Sequence, residues 1–356
     1  MHGDGKEHPV NQPHHPSDAD HAEIGHPRTY PAEGTPGIFH SEPHTEAIDN
    51  TRKRQAPKNL PDAMLKSLRP KQWVKNVLVV AAPLAAGFEA FTLRTLIDVI
   101  LAFVVFCLAA SSIYLVNDAK DVDSDREHPT KRFRPIASGM LPINLAYAMA
   151  VILIVASVGL SLLATEGTGL AIVAVVYIGL QLGYCFGWKH IPVIDIALVS
   201  SGFMLRAMAG GVAAGIVLSQ WFLLVAAFGS LFMAAGKRYA ELLLSERTGA
   251  KIRKSLRGYT QTYLRFVWTV AAAAVVMSYA LWGFELSNSV ADAAAIWYQV
   301  SMVPFIIAIL RFASAVDRGD GGAPDELALQ DRVLLVLALL WLACIVMGVY
   351  VVPALS

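Results

Sequence analysis

Asn117-Asp118-Ala119-Lys120-Asp121-Val122-Asp123-Ser124-Asp125 follows directly on an apolar run, roughly Leu96 to Val116, that is long enough to cross a bilayer. If the helix continues through this stretch, Asp118, Asp121 and Asp125 stand at i, i+3 and i+7 and line one face. Asn117 lies four residues before Asp121 on the same side, while Asp123 points away. Three carboxylates on one stripe repel one another unless a cation sits among them, and hard oxygen ligands suit Mg²⁺. Mg²⁺ shares its shell with phosphates, so Asp118, Asp121 and Asp125 read as the metal-holding, catalytic residues of a diphosphate site at a membrane surface. The competing reading is a solvated helix end that merely stops the span.

The rest of the chain fits a membrane setting. Of its 356 residues 55 % are hydrophobic, and the mean hydropathy is +0.49, too apolar for a soluble enzyme of this size. The net charge of +1 gives no reason to expect a nucleic-acid partner. Cys107, Cys185 and Cys344 each lie inside an apolar run, too dispersed for a disulfide framework or a zinc site. Residues 1–61 are rich in Pro, His, Gly and acids and carry eight of the ten histidines, so a disordered tail is expected there. No cleavable signal peptide is visible, and the first span is expected to act as its own insertion signal.

Residues 62–356 read as an all-α, nine-helix transmembrane domain, with apolar runs at about 77–93, 96–116, 143–164, 168–187, 193–213, 219–236, 266–284, 296–312 and 333–352. A basic, Trp-bearing segment, Leu68-Arg69-Pro70-Lys71-Gln72-Trp73-Val74-Lys75-Asn76, leads into the first of them in the manner of an interfacial anchor. The odd-numbered connections are short, with Arg94 their only basic residue. The even-numbered ones hold Lys120 to Arg134, Lys189, Lys237 to Arg257 and Arg311 to Arg332. That alternation predicts a cytoplasmic amino terminus, an outer carboxyl terminus, and all dense charge on the cytoplasmic face.

Further candidates lie in those charged connections. Lys131, Arg132 and Arg134 follow the acidic stripe closely enough to hold phosphate oxygens beyond the metal's reach. Lys189 and His190 fall in the fourth-to-fifth connection, with Asp195 and Arg206 inside the span that follows, where ionisable groups need partners or a cavity. After the sixth span comes Gly236-Lys237-Arg238-Tyr239-Ala240-Glu241. There Lys237 and Glu241 are i, i+4 neighbours, and Lys237 and Arg238 are candidates to face phosphates.

Asn117-Asp118-x-x-Asp121-x-x-x-Asp125, followed by Lys131-x-x-Arg134-Pro135-Ile136-Ala137-Ser138-Gly139, resembles the first signature of the UbiA-type membrane prenyltransferase superfamily. The likeness runs from about Leu65 to the end, and it implies a UbiA-like nine-helix bundle with its active site on the cytoplasmic side. Most members carry a second Asp-x-x-x-Asp motif after the sixth span, where this chain has one acid and two added cations. Arg69-Pro70-x-Gln72-Trp73-x-Lys75-Asn76, the Lys237-to-Glu241 stretch and the Gly319-to-Pro324 turn are instead similar to a phosphoribosyl-transferring branch. That branch takes phosphoribosyl diphosphate (PRPP) as donor and a decaprenyl or other polyprenyl phosphate in the bilayer as acceptor. It releases diphosphate and supplies cell-wall arabinan synthesis. The resemblance implies Mg²⁺ as cofactor and Asn117, Gln72, Lys75, Lys131, Arg132, Arg134, Lys189, Lys237, Arg238, Tyr239 and Glu241 as substrate-binding residues. It is compatible with a homo-oligomer. The rivals are a UbiA-type transferase with an isoprenoid diphosphate donor and, further off, a transporter of phosphorylated lipid.

Overall fold

In lipid every backbone polar group must be satisfied within the chain, so the apolar runs become helices. The computed structural model describes residues 57–87, 92–248, 256, 258–290, 292–319, 327 and 330–355. Met1–Ala47, a separate unit, lies wholly outside them, and with it most of the expected disordered tail. All regular structure among the described residues is helical.

Helix α1 (Leu60–Ser67) starts on Asn59, whose side chain accepts the Asp62 N–H at 3.0 Å. The expected first span takes a different form. Pro70–Val80 is a 3-10 helix that runs into the five-residue α2, Ala81–Ala85, and residues 88–91 lie outside the described set. A 3-10 helix rises ~2.0 Å per residue against ~1.5 Å in an α-helix, so these two pieces together still reach roughly 30 Å. The remaining elements are α3 (Leu93–Lys120), α4 (Val122–Glu127), α5 (Ile143–Ser161), α6 (Gly167–Cys185), α7 (Ile194–Ala213), α8 (Gln220–Thr248), α9 (Gln261–Ser289), α10 (Asp292–Asp317) and α11 (Arg332–Val346). A π-helical turn, Met347–Val351, and α12 (Val352–Leu355) continue α11. Eight of these helices are long and apolar enough to cross a membrane.

Each long helix packs on the next, and the 3-10 segment lies against α3 and α7. The approach to α7 is close: a Cβ on Gly210 would stand 1.8 Å from the Val79 carbonyl oxygen. At the other end of the chain the Tyr350 hydroxyl donates to the Leu84 carbonyl at 3.0 Å, bringing the last helix back to the first segment. One apolar core, with Phe106, Leu115, Leu141 and Leu170, joins α3, α5 and α6. A second, with Phe232, Tyr239, Trp268 and Phe312, joins α8, α9 and α10.

Arg206 lies deep in the bundle at 7 % exposure. Its Nε donates to Asn76 Oδ1 at 2.7 Å, Nη1 to the Gly202 carbonyl at 2.6 Å and Nη2 to the Tyr177 hydroxyl at 2.7 Å. Asp195, three turns away on the same helix, is paired elsewhere (below), so both charges of this span are met by other helices. At the end of the bundle where α3 begins, Asp98 accepts from the Thr165 hydroxyl at 2.6 Å and faces Arg94 at 3.4 Å. The dense charge is at the opposite end.

Candidate functional site

The acidic stripe does not sit on one uninterrupted helix. α3 ends at Lys120, Asp121 has φ −92° and ψ 11°, and α4 begins at Val122. The bend is mild, because the Asp125 N–H still reaches the Asp121 carbonyl at 2.8 Å. Asp118 and Asp125 are 4 % and 2 % exposed, and carboxylates so buried require compensating cations.

Four cations supply it. Arg69 Nη2 lies 2.6 and 2.7 Å from the two Asp118 oxygens. Arg134 Nη1 bridges Asp118 at 3.1 Å and Asp125 at 2.7 Å, so one guanidinium holds both ends of the stripe on one side. Lys131 Nζ stands 3.8 Å from Asp125. Lys189 Nζ meets both Asp121 oxygens at 2.8 and 2.9 Å.

Local backbone places each of these groups. Arg69 precedes a proline, which disfavours αR, and it adopts the left-handed conformation at φ 53°. Its neighbour Leu68 is anchored to α3: the carbonyl accepts from the Ser111 hydroxyl at 2.9 Å, which in turn accepts from the Trp73 indole at 3.1 Å. The guanidinium also lies 4.8 Å over the Tyr114 ring. Arg134 is brought back by a folded connection in which Ser138 N–H reaches the Arg134 carbonyl and Arg126 Nε reaches the Ala137 carbonyl. Lys189 is carried by a 3-10 turn, Trp188–His190.

A second polar cluster lies on the far side of the α6–α7 connection. Arg238 donates through Nε to Asp195 and through Nη1 to Glu241, each at 3.0 Å. Tyr259 donates its hydroxyl to the other Asp195 oxygen and accepts the Val193 N–H at 2.6 Å. Burial and that bond to Asp195 push the Tyr259 phenol well above its ordinary range.

The expected site residues therefore divide. Asp118, Asp125, Lys131 and Arg134 share one set of ion pairs, and Asp121 pairs with Lys189. Arg238 and Glu241 form the second cluster, Glu241 accepting from Arg238 three residues before it. Lys237 stands half-buried beside them on α8. Tyr239 faces α10 instead, donating to Asp317 at 3.0 Å and accepting from Arg265 at 2.7 Å. Arg132 is exposed and lies 4.9 Å over Phe133. Asn117, Gln72 and Lys75 are half-buried, Asn117 beside the aspartates and the other two on the 3-10 segment behind Arg69. His190 is exposed, and of the Gly319-to-Pro324 turn only Gly319 is described. Arg69, part of the basic anchor, and Tyr259 were not among the expected site residues. The signal for Arg69 was its place before Pro70 at the head of the basic anchor; Tyr259 offered none.

Among the described residues no three His, Cys, Asp or Glu side chains are close enough to enclose an ion. The donor set nevertheless suits Mg²⁺ arriving with a polyphosphate. The carboxylates offer only hard oxygens, phosphates supply the rest of the shell, and the displaced guanidinium and ammonium groups match phosphate oxygens.

These features define a multi-pass helical membrane protein with an acid-and-cation site at the charged end of its bundle. Residues 77–337 match the UbiA prenyltransferase family, and the chain belongs to that family. It is 74 % identical over 320 residues to the decaprenyl-phosphate phosphoribosyltransferase of Corynebacterium glutamicum, covering 90 % of this chain and 96 % of that protein. To the enzyme of the same name from Mycolicibacterium smegmatis it is 59 % identical over 302 residues, 83 % of this chain and 94 % of that one. A UbiA homologue from Archaeoglobus fulgidus, solved with DMAPP and Mg²⁺ bound, shares the fold at a TM-score of 0.59 and 16 % identity, over 82 % of this chain and 99 % of that one.

Proposed function

We propose that this protein is a membrane phosphoribosyltransferase that moves the 5-phosphoribosyl group of PRPP onto decaprenyl phosphate. The observation that carries the reading is the 74 % identity, over almost its whole length, to a relative of that name. The geometry is in keeping with it. PRPP brings a 5-phosphate and a 1-diphosphate, and the acceptor adds a third anionic group. One acidic stripe surrounded by Arg69, Lys131, Arg134 and Lys189 suits three anions better than two acidic motifs would.

An oxygen of the acceptor phosphate forms the bond to ribose C1, and the bond from C1 to the diphosphate oxygen breaks, the diphosphate leaving with the electron pair. The nucleophile is already ionised, so no general base is needed. Charge builds positive at C1 and negative on the leaving group. Mg²⁺ held by Asp118, Asp121 and Asp125 would neutralise charge on the departing diphosphate. Arg69, Arg134 and Lys189 exchange their aspartate partners for phosphate oxygens, so the donor enters a site whose cations are already oriented. Asp118 and Asp125 are buried from bulk water, and the product serves arabinan synthesis.

The site lies on the cytoplasmic side. Its four connections carry the basic residues, whereas the opposite end holds Arg94. The segment Pro70–Ala85 is the ninth crossing, its stretched 3-10 portion compensating for its few residues, and the two termini lie on opposite faces.

Membranes containing the protein, incubated with radiolabelled PRPP and decaprenyl phosphate, should transfer label to the organic phase with Mg²⁺ and lose that transfer with EDTA. Equal or greater turnover with farnesyl diphosphate as donor would overturn the assignment.

A further inference from the structure

We propose that Tyr259 is a positioning residue that latches the α6–α7 connection, and through it Lys189, against the acidic stripe. The proposal rests on the function above in one respect only, that Lys189 meets the donor's phosphates.

The connection is held in a conformation it would not choose alone. Val193 has φ 70° and ψ −48°, a region unfavourable for a β-branched side chain and kept only where the surroundings enforce it. Two contacts from the segment before α9 do so. The Tyr259 hydroxyl accepts the Val193 N–H at 2.6 Å. One residue earlier, a Cβ added to Gly258 would stand 2.3 Å from Pro192 Cγ, so this segment presses directly on the connection.

The same hydroxyl is tied to the second cluster. It donates to Asp195, in the first turn of α7, and the other Asp195 oxygen accepts from Arg238 on α8. A single phenol thus joins the α6–α7 connection, α7, α8 and the lead-in to α9. It is 6 % exposed, and its ring stacks on Tyr263 at 6.0 Å, so it has little freedom of its own. Lys189 lies four residues before Val193, in a turn closed by the His190 N–H to Gly187 carbonyl and Ile191 N–H to Trp188 carbonyl bonds. Its side chain is 16 % exposed with its ammonium on Asp121. Movement of Val193 is transmitted along this short rigid turn to the ammonium.

Tyr259→Phe keeps the ring and its stacking and removes only the hydroxyl. In the full-length protein it should raise the KM for PRPP about tenfold, the scale of one lost bond to a charged partner. The KM for decaprenyl phosphate should hold, while the thermal midpoint falls only modestly, because the Val193 N–H and one Asp195 oxygen each lose a partner. Reductive methylation of Lys189, followed by peptide mass spectrometry, should become faster without any substrate present. Added to Lys189→Ala, Tyr259→Phe should cost nothing further. Gly258→Ala, which pushes on Pro192, should speed the same labelling and serves if Tyr259→Phe does not fold. An unchanged PRPP KM with unchanged labelling overturns the latch, as does an equal loss for both substrates alongside a strongly lowered midpoint. A wild-type protein that makes no product from PRPP removes the proposed function, while Lys189 labelling still decides the latch.

Discussion

Asp121 is the most exposed of the three stripe aspartates, and Lys189 is its partner. Asp121→Asn keeps the shape, removes the charge and leaves the folded core untouched. Transfer should fall by at least about a hundredfold, the usual scale for deleting one preorganised electrostatic group, with an unchanged thermal midpoint; normal turnover would remove the metal assignment. Arg206 presents a different problem, a guanidinium deep in the bundle whose partners are all neutral. Asn76→Ala takes away one acceptor and should lower stability by about 1–3 kcal/mol, read from unfolding in detergent. Replacing both residues by Leu should recover much of that loss, because the charge leaves together with its need for partners.

Among the elements, the 3-10 segment is the least typical, and its docking depends on Gly210. With the Val79 carbonyl 1.8 Å from where a Cβ would be, Gly210→Val should force the segment off α7 and abolish accumulation of folded protein in the membrane. α11 begins on Asp331, which accepts from the N–H groups of Val333 and Leu334 and pairs with Arg311 at 2.8 Å. Burial alone would raise this carboxyl, but the bonds from Leu334, Arg311 and Val333 hold it below its ordinary value. A carboxyl depressed in the folded state contributes stability above its unfolded pKa and loses it as pH falls through the folded one. Asp331→Asn should therefore flatten the acid limb of the melting-temperature profile below about pH 4. An unchanged acid limb would remove Asp331 from the titrating groups.

For the whole molecule the decisive quantity is the number of crossings. Eight would leave both termini on one face; nine separate them. Cysteine-labelling tags at each end, probed in right-side-out and inverted vesicles, should find the amino terminus inside and the carboxyl terminus outside. Both tags reacting from the same side would show that Pro70–Ala85 does not cross. α8 bears on this picture too: 29 residues at ~1.5 Å each exceed a ~30 Å hydrocarbon layer, so its last turns extend past that layer.

Composition and spacing alone established the helical membrane architecture, because long apolar runs have few other ways to satisfy their backbones. Spacing likewise put the three aspartates on one short stretch, and Arg134 bridges Asp118 and Asp125 across the bend at Asp121. Which cations meet them was decided by the tertiary structure. Arg69 is 49 residues from Asp118 and Lys189 is 68 from Asp121, and no periodicity reports a contact across such separations. Tyr259 entered for the same reason, from a connection with no motif of its own, and Tyr239 turned away because α10 offered it Asp317. Local spacing determines which side chains share a face; the packing of distant helices determines what that face meets.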